Sequence, residues 1–362
     1  MRLAGSFRIR PMRCRVVLCV LAALVLCTVK GVAAEEPKKY RIGYIEAGPY
    51  WIFEGTYATI KKALGTMGWA QKVEFPEDAH VSPGWEPEKK PVLEEKAKTL
   101  MARTDLDLII SAGTDASKAV VAANNNRTPI VAIAMSDPVR SKVVTSDKDS
   151  GTDNLTVYFE LERYKRMFRM FHDVVGFKKL GLIYSDTENG KLYANADDAR
   201  EVAKEKGFEV VEYAKVSRAE KPEECMEGLK WLVSQGVDAF FIPALSCFDW
   251  SANDVKPLMD YLTANKIPTF AREGTKVVKA GALMGFSTID FSSRGSFIAD
   301  KIVRILQGEK ARALPMVDNA PPKISLNVSV AQEIGFDPPV DILAASDEVF
   351  SEITLPEDRK TK

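Results

Sequence analysis

From about residue 40 onward the chain alternates short, unbroken apolar runs with stretches whose apolar residues recur every three or four positions. The runs Arg41–Ile45, Lys72–Phe75, Leu106–Ser111 and Pro129–Ala134 predict strands. The stretches Thr56–Met67, Val92–Arg103 and Ala116–Ala123 predict helices, with Leu93, Ala97, Leu100 and Met101 on one face of the second. The order then recurs. Strands are predicted at Lys179–Tyr184, Phe208–Tyr213, Val237–Pro243 and Ile267–Ala271, and helices at Ala194–Lys206, Pro222–Ser234 and Val255–Asn265. Strands that are apolar throughout and separated by helices belong to a parallel sheet covered on both faces.

The two halves align by landmark. Ile42-Gly43 matches Leu180-Gly181 at a spacing of 138, Leu106-Asp107 matches Val237-Asp238 at 131, and Pro129 matches Pro268 at 139. Near-constant spacing points to two copies of one βα design. More elements follow: a strand at Ala282–Phe286, a helix at Phe297–Leu306 closed by Gly308, a strand at Lys323–Val328 and a helix at Val330–Ile334. Coming after the second half, they can return to the first and cross again, a connectivity that suits lobes closing on a ligand.

The first 34 residues stand apart. Arg2, Arg8, Arg10, Arg13, Arg15 and Lys30 occur there with no acid, followed by the 14-residue apolar run Val16–Val29 and the small-residue exit Val32-Ala33-Ala34. This reads as a secretory signal cleaved after Ala34, since a membrane span needs about 20 apolar residues. Leu26 before Cys27 does not fit a lipoprotein site. The whole chain balances 50 basic against 50 acidic residues, so the part after the signal has an excess of six acids. Such a balance excludes a dedicated nucleic-acid binder. Glu77–Pro91 reads as a surface loop, and the segment 351–362 as a flexible tail.

Catalytic signatures are missing. His80 falls in the expected loop, and His172 in a helix as a surface or packing residue. There is no G-x-S-x-G, H-E-x-x-H, C-x-x-C or G-x-G-x-x-G, and Gly190-Lys191 lacks the upstream glycine of a phosphate loop. Carboxylate chemistry is left as the enzymatic alternative.

The turns after the strands are more informative, because open parallel sheets bind ligands beyond the carboxyl ends of their strands. They hold Tyr50 and Trp51; Thr114 and Asp115; Ser136 and Asp137; Asp186, Thr187, Glu188 and Asn189; Ser246, Phe248 and Trp250; Arg272 and Glu273. Thr114, Asp115 and Ser136-Asp137-Pro138 also suit helix capping. Together the turns offer Asp137, Asp186 or Glu188 to a positive group, hydroxyls and amides to a negative one, Arg272 as an alternative carboxylate clamp, and aromatic faces to a flat or cationic body. Cys225, in the first turn of a helix, and Cys247, after the next strand, fall on one side of a βαβ unit, so in an oxidising compartment they are expected to pair.

The segment ISAGTDASKAVVAANNNRTPIVAIAMSDPV, with Ser136-Asp137-Pro138-Val139 after its strand, resembles ABC transporter substrate-binding proteins of the tryptophan/tyrosine-binding family. KKLGLIYSDTENGKLYANADDAREVAKEKGFEV and the region from Asn265 to Pro315 are similar to it as well, so the resemblance runs from about Tyr40 to Phe336. It implies an α/β fold of the type I periplasmic binding protein kind: two Rossmann-like lobes with parallel sheets and a multi-strand hinge. Lobe 1 would comprise 35–157 and 285–312, and lobe 2 158–284 and 313–350. It implies a monomer that captures a small molecule, often an aromatic amino acid, for an inner-membrane permease, with no cofactor or metal. It carries Thr114, Asp115, Ser136, Asp137 and Asp186 to Asn189 over as cleft residues. The chain departs from the family at Tyr50-Trp51, at Ser185 to Glu188, at Leu245 to Trp250 and at Arg272. The same cleft also suits a periplasmic sensor read by a membrane receptor.

Overall fold

Each apolar run has two sides to bury, and the computed structural model, which describes residues 39–288 and 291–360, shows both covered. In β1 (Tyr40–Glu46), Ile42 and Tyr44 join one apolar cluster and Ile45 the cluster on the opposite face. The first sheet continues with β2 (Val73–Glu74), β3 (His80–Val81), β4 (Leu108–Ala112), β5 (Ile130–Ile133) and β6 (Leu155–Val157), in the order β2-β1-β4-β5-β6 with β3 beside β1. β7 (Phe159–Glu160) then leads into the second sheet, formed by β8 (Lys179–Ile183), β9 (Glu209–Tyr213), β10 (Ala239–Ile242), β11 (Thr269–Ala271) and β12 (Met284–Phe286). β13 (Val317–Asp318) pairs with β7, while β14 (Ile324–Asn327) and β15 (Glu348–Phe350) complete the second sheet as β15-β14-β12-β11-β10-β8-β9. Among the described strands of that sheet only the β12–β14 pairing is antiparallel.

The sequence landmarks are structural equivalents. Asp107 accepts the Arg41 N–H ahead of β4, and Asp238 accepts the Lys179 N–H ahead of β10. Pro129 and Pro268 each give a carbonyl to the central strand beside them, through Ile109 and Phe240. Gly43 and Gly181 sit where a helix leucine, Leu100 or Leu232, presses on the strand.

The chain crosses between lobes three times: after β6, after β12 and before β14. The helix Ser292–Leu306 lies on the helix Trp51–Thr66, with Ile298 and Ile302 in one cluster with Ile60 and Leu64. Gly295 lets the two come close, because a Cβ there would lie 2.8 Å from the Thr59 carbonyl carbon. Burying such a side chain is worth about 1.5–3 kcal/mol, so this contact makes the late helix part of the first lobe. The expected boundary at 284/285 falls inside β12, which pairs wholly within the second sheet.

Several expectations are corrected. Glu77–Pro91 is more than loop, since β3 lies in it and pairs with β1 through His80 and Val81. The expected helix Ala194–Lys206 is two helices, Glu188–Ala194 and Ala196–Lys206, parted by Asn195 in the left-handed region at φ 53°, which asparagine tolerates better than most residues. The segment expected as a flexible tail is tied down: Thr354 donates to the Lys279 carbonyl, Lys360 to the Trp250 carbonyl, Asp358 pairs with Lys276, and Leu355 packs on the lobe-2 core. His172 stacks on Phe208 and meets Phe177 edge-on, a packing residue. The expected signal and its cleavage after Ala34 lie outside the described residues. Among the described residues no helix is long and apolar enough to cross a membrane.

Candidate functional site

The turns at the carboxyl ends of both sheets face each other across a cleft of about 1480 Å³. Of the expected site residues, Tyr50, Trp51, Thr114, Asp115, Ser136, Asp137, Thr187, Glu188, Asn189, Ser246, Phe248, Arg272 and Glu273 line it. Asp186 does not. It pairs with Lys191 at 2.7 Å on the outer surface, where a polar side chain five residues away offers a solvated partner.

Local structure assigns many of these groups before any ligand arrives. Asp137 accepts the N–H groups of Val139 and Arg140 through one oxygen and so caps its own turn, and its second oxygen lies 3.6 Å from the Arg140 guanidinium. Thr187 caps the helix Glu188–Ala194 by accepting the Gly190 N–H, and Glu188 is 83% exposed at the rim. Thr114 is buried and accepts the Ser136 N–H at 3.3 Å, binding the turns after β4 and β5 together. Trp51 opens a helix and lies under the Lys276 ammonium of the other lobe at 5.8 Å. Phe248 is buried on Phe240, as part of the lobe-2 wall.

Arg272 is the centre of the polar floor. It is 8% exposed and donates to Asn195, Glu273, Ser136 and Tyr164. Its charge is held despite burial, because Tyr164 and Glu273 raise its pKa by more than desolvation lowers it. A guanidinium so committed is a lobe-to-lobe strut. Tyr50 stands over the same group, and burial together with the Glu273 charge pushes its phenol well above the usual range.

Other contacts also span the lobes. Asn189 donates to Asp115 at 2.7 Å, and Tyr193 donates to the second oxygen of that carboxylate at 3.3 Å. Arg140 reaches Asp198 at 3.0 Å and Glu201 at 2.8 Å. Burial pushes the Asp198 carboxyl up to about 6 even beside Arg140. The lobes are thus drawn together around the cleft.

The crossing strands meet in one charged cluster. Glu160 of β7 accepts from Arg163 and, at 3.0 Å, from Arg294 of the late helix. The Tyr158 hydroxyl bonds Glu160 and Asp318 of β13. Burial alone would raise Glu160, but the two guanidinium groups hold its carboxyl down at about 2. Each crossing contributes one member of this pivot.

Sequence reasoning missed Tyr164, Tyr193, Trp85 and Glu220, all lining the cleft. Trp85 comes from the expected surface loop; it is 51% exposed, donates to the Pro49 carbonyl and lies 6.4 Å from Tyr50. A tryptophan amid Pro, Gly and Glu in a polar loop was the available signal. Tyr164 and Tyr193 sit on helices, where an aromatic residue looks the same whether it faces core or cleft. Cys225 and Cys247 form a disulfide, with Cα atoms 6.5 Å apart, that fastens the turn bearing Ser246 and Phe248 to the helix Pro222–Ser234. Among the described residues no cluster suits a metal ion.

A family model for ABC transporter substrate binding protein matches residues 89–350. No curated protein sequence matches the chain. Among solved structures the chain is similar to the ABC domain in complex with L-Trp from Streptococcus pneumonia, at 22% identity over 85% of this chain and 100% of that one, with a TM-score of 0.68. It is similar to a conserved domain protein from Vibrio cholerae, at 18% identity over 86% and 100%, TM-score 0.71. A ligand-free, open substrate binding protein with adhesive properties from Clostridium difficile is similar at 22% identity over 86% and 100%, TM-score 0.61.

Proposed function

Since the chain belongs to the ABC transporter substrate binding protein family, we propose that it captures an aromatic amino acid, or a small molecule of like shape, between its lobes in the periplasm and delivers it to an inner-membrane permease. The fold is that of type I periplasmic binding proteins, in which closure of two lobes buries a small ligand. The observation that carries the choice of ligand is the aromatic lining. Tyr50 and Trp85 come from one lobe, Tyr164, Tyr193 and Phe248 from the other, and all border one cleft. Aromatic walls with a few fixed polar groups suit a flat ring, which they can meet offset or edge-on. The L-Trp bound to the Streptococcus relative supports the same class.

Titration calorimetry of the exported protein against aromatic amino acids, nucleobases and small organic acids tests this. We expect one-to-one binding of an aromatic amino acid and none of the aliphatic controls. Binding confined to a non-aromatic solute would replace the ligand class, and mass spectrometry of whatever copurifies would name the substitute.

A further inference from the structure

Buried carboxylates that line the cleft are generally matched by cations. Glu160 faces Arg163 and Arg294, Asp198 faces Arg140, and Glu273 faces Arg272. Glu220 is different. It lines the cleft from the segment between β9 and the helix Pro222–Ser234, and its Oε2 accepts the Ser246 N–H at 2.6 Å. Among the described residues no cation pairs with it and no side chain donates to it. Its backbone lies in the left-handed region at φ 48°, a conformation uncommon for a residue with a long side chain. Across the cleft, Asp115 has both oxygens occupied by Asn189 and Tyr193. Glu220 therefore keeps one carboxylate oxygen without a donor.

Its position is also braced from three directions. The disulfide between Cys225 and Cys247 joins the helix after Glu220 to the turn that holds Ser246. Asn253 takes the Ser246 carbonyl at 2.7 Å. Lys360 holds Trp250, at the far end of that turn. A fixed, half-desolvated carboxylate without a counter-charge is costly to leave bare, and a charge-assisted hydrogen bond from a cation relieves it. Burial without a counter-ion accordingly pushes its carboxyl up to about 7.

We propose that Glu220 receives the protonated amine of the ligand and makes the cleft specific for amine-bearing aromatic molecules over their deaminated counterparts. The inference rests on the aromatic-ligand reading and adds to it the residue that reads the ligand's positive charge. A carboxylate oxygen without a donor makes the amine the group selected for, while Arg272, the guanidinium of the floor, is already committed to four partners.

Calorimetry with L-tryptophan, L-tyrosine and L-phenylalanine, each beside its deaminated 3-arylpropionate, is run on the wild type and on Glu220→Gln. The amide oxygen of glutamine still accepts the Ser246 N–H, so the wall is retained. The wild type should prefer the amine-bearing member by at least about tenfold, as expected for a charge-assisted hydrogen bond. Glu220→Gln should lose that preference, binding the amine-bearing member and its arylpropionate alike to within about twofold. Equal binding of both members by the wild type, or an unchanged preference in the variant, overturns the inference while the aromatic reading stands. Binding of no member by either protein overturns both.

Discussion

Replacing Glu160 by glutamine removes the negative charge at the pivot and leaves Arg163 and Arg294 facing a neutral amide. The three side chains are only 13%, 16% and 14% exposed, so water screens little of the loss. Folding brings the carboxyl from about 4.5 to about 2, which by linkage amounts to about 3 kcal/mol of stability. Removing one member of a buried pair costs about 3–5 kcal/mol, because the partner charge stays behind. Both routes give a loss of about 3 kcal/mol for Glu160→Gln at neutral pH. The pH dependence fixes the cause. A depressed carboxyl contributes its full stability above pH 4.5, and that contribution is lost as pH falls towards 2. Urea unfolding followed by fluorescence at pH 7, 4 and 2.5 should therefore show a gap between wild type and variant that is widest at pH 7 and narrows steadily with acid. A loss below about 1 kcal/mol at pH 7, or a gap independent of pH, refutes the assignment of Glu160 as the charged centre of the pivot.

Replacing both Cys225 and Cys247 by serine frees a loop with a sequence separation of 22, for which chain entropy gives a destabilisation of about 3 kcal/mol; calorimetric melting reads it. Gly274 has φ 73°, and an added Cβ would lie 2.1 Å from the Phe286 carbonyl oxygen, so Gly274→Ala should cost about 3 kcal/mol in the same measurement. Burial raises the Asp198 carboxyl on folding, so its contribution to folding stability is fullest below its ordinary value of 3.8 and declines as pH rises through about 6. Urea unfolding across pH 4 to 8 should show the wild type losing stability relative to Asp198→Asn as pH rises, and a difference independent of pH would refute the assignment. Arg272→Ala removes the bonds to Ser136 and Tyr164 and leaves Glu273 buried without its partner; it should lose about 3 kcal/mol of stability in urea.

Most of the longer strands were legible because parallel strands buried on both faces write themselves as continuous apolar runs, whereas the short β3, β6 and β15 were not read, and the helix Pro222–Ser234 matches its expected bounds because a proline in its first turn and a left-handed Gly236 beyond it punctuate both ends. The repeated landmarks were legible for a stronger reason: Asp107 and Asp238 perform the same hydrogen-bonding task in both lobes. The hinge was not, since β7 and β13 have two residues each and offer no period to read. In the cleft, the position of a polar turn could be read but not its orientation. Asp186 and Asn189 belong to one turn, yet the first bonds Lys191 outward and the second bonds Asp115 across the lobes. Glu220 lay outside the expected turns altogether, on the approach to a helix.

The late return of the helix Ser292–Leu306 has a consequence for how the molecule is made. Ile60 and Leu64 are completed by Ile298 and Ile302, which leave the ribosome more than two hundred residues afterwards. Until then the first half is an unfinished sandwich, with its greasy side uncovered while the whole second half is being synthesised. Vectorial delivery thus postpones the final burial of Ile60 and Leu64 until residue 306 has emerged.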